Sequence, residues 1–241
     1  MTNEAVMIRT KGGSFADRAI ERTREKMYQR LAAFAPLDEL ESVLDVGVTA
    51  DQELDSSNFF ENRYPHSDRL TALSDQDASW LSERHRGMKF VQASALDMPF
   101  ADQSFDLVFS NAVIEHVGNS DHQRRFLSEC FRVAKRFVFI TTPNRYHPIE
   151  FHTVLPLIHW LPKRAHRAVL KRLKMEFFAK EENLNLLSKG ELIELANQAN
   201  AVNKTSAHDD LLSLSLSLSL SRRRSFWASR RICCSLGRGK R

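Results

Sequence analysis

The sequence predicts an α/β fold: a doubly wound sheet with helices on both faces. Three observations predict it. Between residues 37 and 145, short apolar runs alternate with helical segments, which is the order of a βαβ chain. The runs are apolar at successive positions, as strands covered on both faces are. Polar, helix-rich texture lies on either side of this region.

Taken in order, residues 1–36 form an N-terminal helical segment, with a helix expected from Phe15 to Phe34. Ile20, Met27, Leu31 and Phe34 fall on one apolar stripe, and Pro36 ends it. Residues 37–145 form the α/β core. Its strands are expected at Val43–Val46, Leu70–Leu73, Lys89–Gln92, Leu107–Ser110 and Phe137–Thr141. Helices are expected near 57–62, 77–83 and 121–135, the last opened by a capping box of Ser120 with Gln123. The Asn62–Pro65 stretch reads as a loop, and Phe59-Phe60 as core packing.

Residues 146–200 form a second helical region, closed by a further helix. An apolar stretch over 153–161 is stopped by Pro162, and a basic amphipathic helix runs from Lys163 to Lys174. A second capping box, Ser188 with Glu191, opens this last helix. Residues 201–241 are a low-complexity basic tail. Leu212–Ser221 is five Leu-Ser pairs. Strict alternation suits a strand, and it is also what a CT dinucleotide repeat encodes. The tail therefore reads either as an out-of-frame extension or as a real basic tail.

Composition narrows the class. The chain has 241 residues, 42% apolar and 27% charged, which excludes collagen-like, disulfide-scaffold and wholly disordered chains. No run of about 18 apolar residues marks a membrane span. The first residues, MTNEAVMIRTKGG, lack an apolar signal core, so a cytoplasmic location is expected. The three cysteines have no zinc spacing, and neither do His147, His152, His159 and His166, so no metal site is expected. The net charge is +5, yet residues 222–241 carry eight Arg and Lys and no acid, which leaves the other 221 residues at −3. An acidic body argues against nucleic acid as partner.

In an open α/β sheet, ligands bind beyond the carboxyl ends of the strands. The residues there are Asp45-Val46-Gly47-Val48-Thr49, then Ser74-Asp75, then Ser94-Ala95, then Asn111-Ala112-Val113-Ile114-Glu115-His116. Gly47 allows close backbone approach. An acid after the second strand suits ribose hydroxyls or a turn. His116 is an acid–base candidate, with Glu115 beside it and His147 or His152 as alternatives.

The stretch ALDMPFADQSFDLVFSNAVIEHV resembles the third-to-fourth-strand block of class I S-adenosylmethionine-dependent methyltransferases that act on small molecules, the type 11 group. Pro99, Phe100, Ser104, Phe105, Asp106 and His116 carry the likeness. VLDVG resembles the first motif of that family, FVFITTPNR its fifth strand and exit, and LLSKGELIELANQAN the helix before its last two strands. The resemblance covers about Ser42 to Asn144.

It implies a Rossmann-like methyltransferase sheet ending in an antiparallel strand pair, for which 201–241 offers no clear sequence. It also implies S-adenosyl-L-methionine as cofactor. The methionyl part would lie over Asp45, Val46, Gly47 and Thr49, the ribose by Ser74 and Asp75, and the adenine by Ser94 and Ala95. Asn111, Ala112 and Val113 would line the methyl side. The chain departs from the family pattern at Val48, Thr49 and Ala50, where glycines are usual, and at Ser74 and Ser94, where acids are usual.

The implied activity is methyl transfer to a small-molecule or lipid- or glycan-linked acceptor, recognised by residues 146–187. The departures support a second reading, a non-catalytic binding or regulatory protein on a degenerate methyltransferase fold. Nucleic-acid modification is disfavoured, because Asn111-Ala112-Val113-Ile114 stands where base-methylating relatives carry Asn/Asp-Pro-Pro-aromatic. The basic helix has three readings: a solvated face, a peripheral membrane contact through 153–174, or a site for an anionic acceptor.

Overall fold

The structure, a computed structural model, describes residues 15–52, 57–148, 150, 152–153, 155–204 and 213–217. Helix α1 spans Phe15–Phe34, followed by β1 (Val43–Val46), α2 (Phe59–Arg63), β2 (Leu70–Ser74), α3 (Trp80–Arg84) and β3 (Lys89–Gln92). Then come β4 (Phe105–Asn111), α4 (Ser120–Val133) and β5 (Ala134–Thr141). Helices α5 (Lys163–Arg172), α6 (Glu176–Ala179) and α7 (Lys189–Lys204) precede β6 (Ser213–Ser217).

The strands form one sheet in the order β3-β2-β1-β4-β5-β6, and every pairing is parallel. The chain winds outward from β1 to β3, then crosses to β4 on the other side of β1. The switch point lies between β1 and β4, where this class of sheet opens a ligand crevice.

Side chains alternate between two cores, as period-2 strands require. Leu44, Val46, Leu73, Val108, Val138 and Ile140 face α4 and α7, meeting Phe126, Leu127, Cys130, Leu192 and Ala199. Val43, Ala72, Leu107, Phe109 and Phe139 face α1–α3, meeting Met27, Leu31, Phe59, Phe60 and Leu81. On this second face Phe60 stacks on Phe109 at 4.4 Å, with Phe139 at 6.0 Å on the far side. Phe59-Phe60 is thus core packing.

The block that resembles the methyltransferase family has structural work to do. The Asp106 carboxylate accepts from the Glu41 and Ser42 amides at 2.9 and 3.2 Å, tying β4 to the entry of β1. Phe100 packs edge-on against Phe105 at 4.9 Å. Arg132 of α4 donates to the Met98 and Phe100 carbonyls at 3.0 and 2.8 Å, and so fixes the intervening turn.

Some expectations need correction. The cap of α4 is Asn119, whose side chain accepts from the His122 amide at 3.0 Å. No Ser120–Gln123 box forms, because the Gln123 amide is buried and directed elsewhere. The Ser188–Glu191 box does form, at 2.7 and 3.3 Å. Asn62 and Arg63 belong to α2 rather than to a loop, and Arg63 pairs with Glu21 and Glu25 of α1.

In place of an antiparallel pair at the sheet end, the described residues hold one strand, β6, parallel to β5. The Leu-Ser alternation is therefore strand over Ser213–Ser217. The reading of the rest of the tail lies outside the described residues.

Truncating Phe109 to Ala should destabilise the fold by about 3–5 kcal/mol, because it empties the middle of the aromatic stack. Urea unfolding of the variant against the parent reads this directly.

Candidate functional site

The turn after β1 is held by backbone and by one side chain. Gly47 has φ +91°, a conformation that favours glycine. Its amide donates to the Leu73 carbonyl at 2.7 Å. A Cβ on Gly47 would lie 2.3 Å from Val113 Cγ2. The sheet thus brings together two residues that the sequence places 66 positions apart, Gly47 of the first motif and Val113 of the fourth-strand exit.

Asn58 fixes the rest of the turn. Its side-chain amide accepts from the Thr49 N–H and donates to the Thr49 carbonyl, both at 2.9 Å. The loop is pinned as if by a neighbouring strand. Asn58 itself sits at φ +51°, a region that Asn tolerates. Thr49 Oγ1 accepts from the Asp51 amide at 3.2 Å. Sequence reasoning missed Asn58; its only signal was an Asn just before a helix.

Asp45 is buried and turned towards α2, where it meets the buried Glu61. Burial and then the neighbouring Glu61 raise the Asp45 carboxyl well above the usual carboxylate range. Burial likewise pushes Glu61 up to about 7. Glu61 is buried against Asp45, and the two carboxyls share a hydrogen bond. Val46 faces the core, and its carbonyl accepts from the Ser110 hydroxyl at 2.8 Å.

The ribose and adenine positions are simpler. Ser74 is buried and its hydroxyl accepts from the Gln76 amide at 3.2 Å. Asp75 is exposed. Ser94 is exposed and Ala95 half-buried, with the Ser94 hydroxyl accepting from the Leu96 amide at 3.2 Å. The Ala93 amide donates to the Ser74 carbonyl at 2.9 Å, so the two turns lie side by side.

The exit of β4 is strained and closely held. Ala112 has φ +55°, uncommon for a residue with a Cβ. Its amide donates to the Thr141 carbonyl at 2.8 Å, and the Thr141 hydroxyl donates to Asn111 Oδ1 at 2.6 Å. A single 3-10 turn, Ile114–His116, then presents Glu115 inward and His116 outward.

Glu115 is fully buried, and its Oε2 accepts from the Thr142 hydroxyl at 2.9 Å. The His116 Nδ1–H donates to the Asn183 carbonyl at 2.7 Å. Its Nε2 lies 3.0 Å from Nε2 of His152. His152 Nδ1 meets Glu150 Oε1 at 2.6 Å. Burial disfavours charge on both members of that pair. Their mutual hydrogen bond and charge attraction, with further donors to Glu150 from the His152 backbone and Thr153, together outweigh it, lowering Glu150 to about 2 and raising His152.

The expected acid–base residues Glu115 and His116 are thus joined by the alternative His152; His147 is not part of this cluster. Glu150, Thr142 and Asn183 were not foreseen, although Glu150-x-His152 in the sequence was the available signal.

Residues 60–139 match a family model described as "Methyltransferase domain". A search of curated proteins finds no match. Among solved structures, the chain is similar to a SAM-dependent methyltransferase from Thermotoga maritima, at 16% identity and TM-score 0.45, covering 76% of this chain and 75% of that one. It is similar to the N-methyltransferase NodS from Bradyrhizobium japonicum in complex with S-adenosylhomocysteine, at 18% identity and TM-score 0.38, covering 49% and 67%. A SAM-dependent methyltransferase from Methanosarcina mazei is similar at 18% identity and TM-score 0.44, covering 66% and 79%.

Residues 60–139 within the α/β body thus match a methyltransferase domain, and S-adenosylmethionine is the methyl donor which that match implies. Gly47 lacks a Cβ where the Val113 side chain packs against it. One feature suits that donor. Among the described residues no cation faces the buried Asp45–Glu61 pair, and the donor carries an ammonium and a sulfonium.

The carboxyl pair has a pH signature. Unfolded, Glu61 ionises near its ordinary 4.5; folded, it holds its proton to about 7. Stability is then fully present below about pH 4.5 and falls as pH rises through about 7. Glu61→Gln should flatten that fall and raise Tm at pH 8 by several degrees. Thermal unfolding of both proteins between pH 5 and 8 checks it.

Proposed function

We propose that the chain methylates a small-molecule or lipid- or glycan-linked acceptor held between the β4 exit and the cover formed by residues 146–187. The observation that carries this reading is the path from Gly47 to Val113 and then, one 3-10 turn on, to the paired imidazoles of His116 and His152. One end suits the methyl donor and the other presents basic groups to an acceptor.

Bound S-adenosylmethionine would supply an electrophilic methyl on a sulfonium. The residues of this chain supply position and proton traffic. Asp45, Gly47, Thr49 and Val113 would hold and shape the donor side, with Ser74, Asp75, Ser94, Ala95, Asn111 and Ala112 lining its length. Alignment of acceptor and methyl provides much of the rate in such a displacement. An acceptor that carries a proton at working pH must lose it, and the His116–His152 pair stands where it would be taken.

One observation favours a lipid-linked acceptor. Leu157, Trp160 and Leu161 are each 40–49% exposed and stand directly before basic α5. Apolar side chains beside a basic helix are what a peripheral contact with an anionic lipid surface uses. Lys163 and Arg167 are partly occupied within the protein, by Glu191 at 3.5 Å and Glu181 at 3.2 Å. Among the described residues no helix is long and apolar enough to cross a membrane.

Two variants test the reading. Gly47→Ala places a Cβ into Val113 at a left-handed φ, and should abolish S-adenosylhomocysteine binding by calorimetry while the circular dichroism spectrum is kept. His116→Gln should leave that binding within about twofold and lower turnover of labelled methyl by about 10²-fold or more. Tight product binding by Gly47→Ala, or unchanged turnover in His116→Gln, would contradict it.

A further inference from the structure

The histidine pair poses a hydrogen-bond problem that neither the fold nor methyl transfer resolves. The Asn183 carbonyl can only accept, so Nδ1 of His116 carries a hydrogen. The Glu150 carboxylate also accepts from the Thr153 amide and hydroxyl at 2.6 and 2.7 Å, and from the His152 amide at 2.9 Å. Nδ1 of His152 therefore carries a hydrogen too. In neutral imidazoles both Nε2 atoms are then acceptors. They face one another at 3.0 Å, and two lone pairs at that distance repel.

A third acceptor closes the site. A carboxylate oxygen of Glu115 lies with the two imidazole nitrogens in one cluster, all three ligand atoms within 4.8 Å of one another. Glu115 is fully buried and its Oε1 has no hydrogen-bond partner. A proton shared between the two imidazoles would relieve their repulsion, but it would leave that oxygen unpartnered. A cation among all three atoms satisfies them together.

We infer that His116, His152 and Glu115 bind a divalent transition metal of the zinc class. Two imidazoles and one carboxylate are a known donor set for zinc sites that keep one coordination position open. Zinc–nitrogen bonds of about 2.0–2.1 Å set tetrahedral nitrogens about 3.3 Å apart, so the imidazoles need separate by only a few tenths of an ångström. The surroundings are those that orient metal ligands. His152 is backed by the Glu150 carboxylate, His116 by the Asn183 carbonyl, and Glu115 by the Thr142 hydroxyl.

The His116 side is exposed, which gives an ion a way in. The open position would take water or an acceptor oxygen. Spacing arguments confined to residues 147–166 could not find this site, because its ligands come from the exit of β4 and from the loop after β5.

The metal site stands on these residues whether or not the acceptor reading holds. The test uses the full chain, stripped with chelator and titrated with zinc by calorimetry and with cobalt(II) by absorption. One equivalent should bind, with the visible bands of nitrogen and oxygen ligation and without a thiolate charge-transfer band from Cys233 or Cys234. His152→Ala and Glu115→Gln should lose the equivalent. Glu150→Gln should weaken it about 10–100-fold, and His66→Ala, remote from the cluster, should keep it.

His116→Gln, at the exposed ring, makes the same comparison if the buried variants do not fold. Absent uptake, a thiolate spectrum, or full binding retained in His152→Ala or His116→Gln would overturn the site. S-adenosylhomocysteine titration of the same stripped protein reads the donor pocket separately.

Discussion

Two buried amides hold the Ile114–His116 turn to the rest of the fold. Gln123 of α4 donates to the Ile114 and Asn185 carbonyls at 3.1 and 2.8 Å. The Asn185 side chain returns a bond to Gln123 at 3.2 Å and another to the Gly118 carbonyl at 3.0 Å, while the Asn185 amide donates to the Glu115 carbonyl at 2.7 Å. Lys163 caps the remaining Asn185 oxygen at 2.9 Å. Buried amides left without partners are costly, on the order of 1–3 kcal/mol each. This network therefore defines one position for the Ile114–His116 turn relative to the segment before α7. Asn183, two residues away, is then placed to fix the His116 ring.

The donor side is organised differently. It depends on the β1–β4 neighbour relation, which sets Gly47 against Val113, and on the Asn58 clamp over Thr49. The Asp45–Glu61 pair lies underneath, on the face of the aromatic core. Its raised carboxyls are what burial imposes on two neighbouring acids. The fold thus stores an electrostatic cost at the carboxyl end of β1, where a cationic ligand would offset it. The His116–His152 cluster carries the opposite arrangement: imidazoles with their Nδ1 donors committed and their Nε2 atoms facing one another at 3.0 Å.

Much of the fold was legible because strand and helix periodicities are local. The five strands of the core and α1 fall where short apolar runs and one apolar stripe put them. The α4 cap was misread because Gln123 serves a partner 62 residues away, Asn185, which no local pattern reveals. A strand was one of two readings of the Leu-Ser alternation; its parallel direction depends on pairing with β5, not on its own residues. In the site, Gly47, Val113, Glu115 and His116 stood at strand ends and were accessible to topology. Glu61, Asn58 and Glu150 were not, because their roles arise from contacts across the sheet face, the loop and the cover.

The central claim is that Gly47 and Val113 frame a working donor site despite the sparse glycines of its first motif. Calorimetric titration of the full chain with S-adenosylhomocysteine tests it most directly. A one-to-one isotherm with micromolar affinity is the predicted result. A chain shown to be folded by circular dichroism that gives no binding at millimolar ligand would contradict it.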